Sequence, residues 1–385
     1  MCIPLLWRFA PANQNAKAHG MQLTAVAMHR IQRTCIWKQL ANERLFDVAF
    51  AVNRPIFSPH IYPINKSVRQ YSAAQNVPCE FAPRQLESKT HPQGWERIQA
   101  QVEPYFGDNW NFTSEKEKKG FLGLGLSRAF SHFFPLTLDD RIDATCKMLY
   151  LSLLIDDQLE KMSFTQMLLH RDRVMKVALG EASPNRRICL EWMLHDTIMA
   201  MRSIDDILAN DVAQGFCQLL QAQTAQERTT ITTLGSYLKF REIDVGRPFY
   251  TALIRFSARL YLNTAERRKT APLESIAFRH FGVMNDIYSW EREWKVYQAN
   301  PTDGAQPFSA IYICANETGL PYTACKRLMY SYCRELELDL KHSSDEIRHN
   351  SMESLTNGLE MYIKGLEYFM CGIELWSEWT PRYRQ

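Results

Sequence analysis

The chain has 385 residues, of which 46% are hydrophobic and 23% are charged, and its formal net charge is +3. This balance is typical of a globular protein with a sizeable core, and it argues against a dedicated nucleic-acid-binding protein. The longest apolar runs are too short to span a membrane, and the N-terminus lacks the pattern of a signal peptide, so we expect a cytoplasmic protein.

Residues 1–80 differ in character from the rest. Residues 1–70 contain nine Lys and Arg against two acids, a net charge of +7, which leaves −4 for the remainder. Four prolines, at positions 55, 59, 63 and 78, interrupt each candidate helix. We predict an irregular, basic and partly disordered N-terminal extension over 1–80. A leader or a gene-start artefact is favoured over a transit peptide.

From residue 81 onward, apolar residues recur at spacings of three and four, which predicts an all-α protein of about a dozen helices. Thr137 to Asp140, after Pro135, resembles a capping box. The following segment, through Leu159, is apolar nearly all round and is expected at the centre of the bundle. Further helices are expected at 166–180, 186–209, 212–224, 234–262, 273–298 and 321–341, and a last amphipathic helix over 355–376.

Three carboxyl groups follow the central apolar segment at once: Asp156, Asp157 and Glu160, in IDDQLE. On a helix, positions i and i+4 share a face and i+1 lies nearby. A bare run of this kind is usually a solvated helix end. Here it extends a helix that is otherwise buried, and buried carboxylates without partners are strongly unfavourable, so the pattern indicates a bound cation.

A second set of oxygen-bearing side chains stands in FGVMNDIYSWERE, where Asn285, Ser289 and Glu293 are spaced by four. An amide oxygen, a hydroxyl and a carboxylate on one helical face suit Mg²⁺, which prefers hard oxygen ligands and keeps positions open for substrate phosphates. Such a face also occurs by chance as an ordinary polar stripe. Its presence together with IDDQLE makes chance a poor explanation.

The pair of motifs resembles the metal-binding signature of class I terpene synthases, and is most like that of the fungal aristolochene synthases. The likeness extends from about residue 81 to Tyr383. Arg241, in YLKFREIDVG, matches the diphosphate-sensing arginine of that family, and Asp244 matches its linker. Arg382 and Tyr383 match the C-terminal RY pair, and Arg292 stands where a lysine usually contacts diphosphate.

The resemblance implies a class I helical bundle around a deep apolar pocket, spanning residues 81–385. It implies a Mg²⁺-dependent sesquiterpene cyclase of secondary metabolism that ionises farnesyl diphosphate and cyclises the resulting cation. The resemblance also implies about three Mg²⁺ ions, which would neutralise the charge that develops on the leaving diphosphate. The expected ligands are Asp156, Asn285, Ser289 and Glu293, supported by Asp157 and Glu160. The diphosphate would be bound by Arg241, Arg292, Arg382 and Tyr383. Both a monomer and a homodimer remain open.

The resemblance also assigns the pocket wall, to Phe133, Leu153, Leu219, Ile373 and Trp376. Four of these positions depart from the aristolochene synthases. Leu153 and Leu219 stand where phenylalanines are expected, Ile373 replaces an asparagine, and Phe133 lacks the hydroxyl of the usual tyrosine. These changes leave ionisation untouched but alter the shape of the pocket, so we expect a product other than aristolochene.

Other functions fit the sequence less well. A chain-elongating prenyl diphosphate synthase would carry a second Asp-rich motif, DDxxD, where this chain has NDxxSxxxE, and a class II cyclase would carry DxDD, which is absent. His195-Asp196 resembles part of a phosphohydrolase motif, but the upstream histidine motif is missing. A helical scaffold without enzymatic activity is the alternative from another class, and it predicts no Mg²⁺-dependent ligand binding.

Overall fold

The computed structural model describes residues 83–301, 306–350 and 355–384. The extension predicted for residues 1–80 lies outside these described residues. The described chain forms thirteen α-helices and no strand, which confirms the all-α prediction. The helices are α1 Trp95–Asn109, α2 Glu115–Leu122, α3 Leu126–Phe133, α4 Ile142–Leu159, α5 Phe164–Leu179, α6 Cys189–Ile204, α7 Asp206–Gln223, α8 Leu234–Asp244, α9 Arg247–Ser257, α10 Thr264–Ala299, α11 Ala310–Thr318, α12 Tyr322–Asn350 and α13 Asn357–Trp379.

Helix α4 is the central apolar helix that its composition predicts, because most of its side chains are buried around the whole circumference. The capping box predicted at Thr137 is wrong. A 3-10 turn, Asp139–Arg141, precedes α4, and no side chain caps the helix. Thr137 Oγ1 instead donates to the carbonyl oxygen of Phe134 at 2.7 Å.

The helix predicted over 234–262 is interrupted between α8 and α9. Gly246 lies between them with φ 101°, in the left-handed region that only glycine adopts without strain. Pro248 then occupies the first turn of α9, where its missing N–H has no helical partner to lose. The break leaves Arg241 and Asp244 on the last turn of α8. The segment 186–209 is likewise divided at Asp205, whose side chain caps α7.

The remaining packing brings three long helices together. Helix α10, which begins at a capping box formed by Asn263 and Glu266, packs against both α12 and α13. Helix α13 buries the apolar stripe predicted for it, against α3 and α10. None of the described helices is both long and apolar enough to cross a membrane.

Candidate active site

A cavity of about 350 Å³ opens between α4, α7, α8, α10 and α13. All five side chains predicted for the pocket wall line it: Phe133, Leu153, Leu219, Ile373 and Trp376. The Phe133 and Trp376 rings meet edge to face, with centroids 6.2 Å apart. This part of the wall is apolar and aromatic, so it excludes water and presents ring faces that attract a cation.

Carboxylates of α4 lie at one end of this cavity. Asp156 and Glu160 line it, and one carboxylate oxygen from each of Asp156, Asp157 and Glu160 lies within 4.8 Å of the other two. Asp157 is not among the described lining residues; it pairs with Arg382, whose Nη2 is 2.7 Å from Asp157 Oδ1. Burial, and then the charge of Glu160, raise the pKa of Asp156 to about 7. A cation held here would favour its ionised form.

Helix α10 presents Asn285, Ser289 and Glu293 to the same cavity. Asn285 is oriented from both sides: its Oδ1 accepts from Arg241 Nη2 at 2.9 Å, and its Nδ2 donates to the Tyr383 hydroxyl at 2.7 Å. Ser289 Oγ is buried and has no hydrogen-bond partner among the described residues. A buried hydroxyl without a partner is unfavourable, which makes it a natural ligand.

Arg241 is held at the cavity wall by three acceptors. Its guanidinium bonds to the Asp244 carboxylate, to Asn285, and to Asp286 Oδ1 at 3.0 Å. Asp286 is fully buried and also accepts from the Tyr237 hydroxyl and from the Ala310 backbone N–H. Burial raises the pKa of Asp286 to about 6, against the opposing effect of Arg241. Asp286 therefore holds Arg241 from within the core, whereas its neighbour Asn285 lines the cavity.

The C-terminal residues close one side of the same end. Arg382 and Tyr383 line the cavity from a 3-10 turn, Pro381–Tyr383, that Thr380 caps. Burial raises the pKa of Tyr383 well above its usual value, so its phenol keeps its proton and can donate. Arg292, on α10, also lines the cavity and pairs with Glu160 at 2.5 Å. The positive side chains thus converge on the carboxylates at one end of an apolar cavity.

The chain resembles known proteins over this same region. Residues 147–339 match the family model "Terpene synthase family 2, C-terminal metal binding". Aristolochene synthase from Aspergillus terreus is 35% identical over 243 residues, covering 63% of this chain and 76% of the relative. The crystal structure of aristolochene synthase from Penicillium roqueforti superposes with a TM-score of 0.68 at 35% identity, covering 78% of this chain and 99% of that one.

The chain belongs to the terpene synthase family. Its relatives place it among the fungal sesquiterpene cyclases, and the match to a metal-binding domain means that it uses a divalent metal. The residues present fit such an ion. The donor set is made of carboxylate, amide and hydroxyl oxygens, which divalent hard cations prefer, and it includes the unpartnered Ser289 hydroxyl.

Sequence reasoning missed several side chains at this terpene synthase site. Arg228 lines the cavity from a 3-10 turn and holds Asp244 at 2.5 Å, while its guanidinium lies 4.8 Å from the Phe308 ring centroid. Tyr250 and Phe281 also line the cavity. No local motif marks Arg228. For Tyr250 the available signal was the Gly246 and Pro248 pair, which marks the start of a new helix.

Proposed function

We propose that this sesquiterpene cyclase ionises farnesyl diphosphate, cyclises the farnesyl cation to a cyclic sesquiterpene hydrocarbon or alcohol, and releases diphosphate. The observation that carries the proposal is the convergence of Asp156, Asn285, Arg241 and Arg382 at one end of a single apolar cavity. One end suits a charged leaving group, and the rest suits an isoprenoid chain. In this proposal residues 81–385 are the catalytic domain and 1–80 an extension.

The proposed metal ligands are Asp156 on α4 and Asn285, Ser289 and Glu293 on α10. We assign them about three Mg²⁺ ions, with Asp157 and Glu160 supporting the ligands. When bound, Mg²⁺ neutralises negative charge that develops on the diphosphate as it departs. The contacts of Asn285 with Arg241 and Tyr383 orient its amide, so the metal ligands and the diphosphate-binding groups are coupled.

Arg241, Arg292, Arg382 and Tyr383 are proposed to bind the diphosphate. Guanidinium groups remain charged at any working pH and donate bidentate hydrogen bonds that match phosphate oxygens. Tyr383 adds a neutral donor. Asp244 and Asp286 hold Arg241 in position, so its geometry is set before substrate binds, which reduces the reorganisation needed for ionisation.

The apolar remainder of the cavity would fold the isoprenoid chain and exclude water from the cation. Phe133 and Trp376 present aromatic faces there, while Leu153, Leu219 and Ile373 replace larger or polar groups of the aristolochene synthases. We propose that the product is a cyclic C15 compound other than aristolochene.

The test compares the purified protein with an Asn285→Ala, Glu293→Ala double variant, using farnesyl diphosphate with and without Mg²⁺. Diphosphate release and extracted products, analysed by gas chromatography with mass detection, are both measured. We expect a Mg²⁺-dependent cyclic C15 product from the wild type. The double variant should lose at least roughly 10³-fold in rate, because transition-state charge is left uncompensated.

Glu291→Ala is the matched control, since Glu291 lies on the same helix and pairs with Lys326 at the surface. Its activity should stay close to that of the wild type. Linear alcohols alone would contradict the cyclisation assignment but not the metal site. No turnover of any prenyl diphosphate by the folded wild type would overturn the proposed function.

A further inference from the structure

Two hydroxyl groups face each other in the wall of the cavity. Neither was among the side chains that the sequence predicted for the pocket. Ser152 lies on α4, one turn before Asp156, and Tyr250 lies on α9, one turn after Gly246. Both residues line the cavity, and their oxygens are 3.4 Å apart. They are distant in sequence, and Tyr250 belongs to the helix that begins after the break at Gly246.

The direction of their hydrogen bond follows from counting protons. Ser152 has one hydroxyl proton, and it donates that proton to the carbonyl oxygen of Leu149 at 2.8 Å. With that proton engaged, Ser152 Oγ is left to accept, and we assign the 3.4 Å contact with Tyr250 as the donor. The chain runs from the Tyr250 hydroxyl through Ser152 to the Leu149 carbonyl. Hydrogen bonds in such a chain polarise one another, so the Tyr250 oxygen becomes richer in electrons.

The apolar surroundings of Tyr250 strengthen the attraction between its hydroxyl oxygen and a cation in the cavity. Its ring packs against the rings of Phe281 and Phe369, with centroids 5.6 Å and 5.3 Å away. Burial raises the pKa of Tyr250 to about 12, so the phenol stays neutral. With its proton engaged by Ser152, the oxygen offers only lone pairs. A fixed dipole in apolar surroundings acts more strongly than the same dipole in water.

We propose that the Tyr250 hydroxyl, positioned by Ser152, stabilises positive charge on the substrate-derived carbocation and thereby determines which product forms. This inference rests on the proposed function. Tyr250 acts on the cation through its oxygen dipole and ring face, and Ser152 is a positioning residue. Neither side chain accepts a proton from the substrate or forms a covalent bond to it.

The level of the pair in the cavity indicates which part of the substrate it acts on. Four residues of helix separate Ser152 from Asp156, a rise of about 6 Å. Ser152 and Tyr250 therefore lie about the length of one isoprene unit further into the cavity than the carboxylates at the proposed diphosphate end. Charge generated by ionisation starts at that end of the chain. The pair acts on the early cation and the first ring closure, before charge moves deeper into the cavity.

The decisive variant is Tyr250→Phe, which keeps the ring and removes the hydroxyl. We expect the rate of diphosphate release to fall by roughly fivefold, because the variant loses stabilisation of the early cation while the diphosphate-binding groups are untouched. The product mixture should shift towards acyclic or singly cyclised compounds. Tyr362→Phe is the control: Tyr362 is buried, donates its hydroxyl to Glu274 at 2.6 Å, and is not among the described residues lining the cavity. Its products should match the wild type.

Ser152→Ala tests the positioning role separately. It should shift the products in the same direction as Tyr250→Phe but less far. Its control is Ser257→Ala, because Ser257 makes the same kind of bond, to the Ile254 carbonyl at 3.0 Å, away from this cavity. A merely structural serine would lower stability in both variants and change the products in neither.

A binding measurement that needs no turnover completes the test. A tertiary-ammonium analogue of the farnesyl cation is titrated calorimetrically into each variant with Mg²⁺ and diphosphate present. We expect roughly fivefold weaker binding to Tyr250→Phe than to the wild type or Tyr362→Phe, the effect of one lost polar interaction. Unchanged products and unchanged analogue affinity in folded Tyr250→Phe would refute the inference. A wild type that is itself inactive would instead refute the proposed function.

Discussion

The side chain of Arg241 crosses helix α10 at Gly282, and a Cβ added to Gly282 would lie 2.6 Å from Arg241 Cγ. That separation is far shorter than any real carbon–carbon contact between side chains. The absence of a side chain at this one position therefore allows the arginine to reach both Asn285 and Asp286, which lie on the next turn of the same helix.

Gly282→Ala should displace the Arg241 guanidinium and weaken substrate turnover. We expect kcat/KM for diphosphate release to fall by roughly 10- to 100-fold, because a displacement of about 1 Å in a positioning group has effects of that size. Alanine favours a helix interior over glycine by about 1 kcal/mol, so thermal unfolding should change much less than activity. Steady-state kinetics and thermal unfolding are measured on the same preparation.

Gly235→Ala is the control for that change. Gly235 lies on α8, the helix that carries Arg241, and a Cβ there meets nothing within 4 Å. It should be at least as stable as the wild type and equally active. If Gly282→Ala retained full activity, the crossing of Arg241 over α10 would not matter for turnover.

The sequence allows the fold class and the polar end of the cavity to be predicted from local pattern. Asn285, Ser289 and Glu293 share a helical face by their spacing alone, so their common orientation needs no tertiary information. The role of Asp286 could not be obtained in this way. It stands one position from Asn285, about 100° around the helix, and its partners Tyr237 and Ala310 come from distant segments.

Helix interruptions and long-range contacts account for the rest of what was missed. Arg228 reaches Asp244 only because a 3-10 turn follows α7, and nothing in QERT indicates that contact. The break at Gly246 was predictable in principle, because VGRP places a glycine before a proline at a helix start. The direction of α9, and with it the place of Tyr250 in the cavity wall, depends on packing that no local pattern encodes.

Arg228→Met should lower activity through Asp244. The fully buried Asp244 carboxylate is shared between Arg228 and Arg241, and loss of Arg228 leaves it with a single guanidinium partner. The Asp244 carboxylate then attracts the Arg241 guanidinium more strongly and holds it away from the substrate diphosphate. We expect kcat/KM to fall roughly tenfold and the free energy of unfolding to fall by about 1–3 kcal/mol, as for other buried groups that lose a charged partner.

The comparison variant is Arg186→Met, which removes an ion pair of similar length, to Asp196 at 2.6 Å, but at the surface. Exposed pairs contribute about 1 kcal/mol or less, so stability and kinetics should both be nearly unchanged. Equal kinetics for the Arg228 and Arg186 variants would show that Arg228 does not influence the site.

A buried charge cluster that joins α10, α12 and α13 should make stability sensitive to acid. Glu337 and Arg334 on α12 meet at 2.5 Å, His280 of α10 lies 3.3 Å from Glu337, and Glu374 of α13 pairs with Arg334. The backbone N–H of Gln85 also donates to Glu337 at 2.7 Å. Burial alone raises the pKa of Glu337, but these partners, led by His280, lower it below its usual value.

A lowered pKa in the folded state means that Glu337 contributes stability above its ordinary pKa of about 4.5, and that this contribution is lost as pH falls through the lower folded value. Glu337→Gln should therefore lower the free energy of unfolding by about 3 kcal/mol at pH 7, since it removes one of the two carboxylates that pair with the buried Arg334 guanidinium. The difference between the variant and the wild type should narrow below about pH 4. Urea unfolding across this pH range is the measurement. Glu346→Gln, in an exposed pair with His342, is the control, and its free energy of unfolding should follow that of the wild type at every pH. If the difference in free energy of unfolding between Glu337→Gln and the wild type stayed constant with pH, the assignment would be contradicted.

Leu153 and Leu219 determine how much room the cavity leaves beside its aromatic wall. Both line it, on α4 and α7, and Leu153 is only partly buried, so a larger side chain can extend into the cavity without displacing the core. Leu153→Phe together with Leu219→Phe should leave the rate of diphosphate release within about threefold of the wild type, because the proposed metal ligands and diphosphate-binding groups are all retained. The product spectrum should change, with a new major C15 compound, since two added rings reshape the space in which the cation folds.

Gas chromatography with mass detection identifies the products, and Leu169→Phe, at an exposed leucine of α5, is the control that should change nothing. An unchanged spectrum from an active double variant would mean that the folding chain does not contact this wall, and that product choice is made nearer Trp376 and Tyr250.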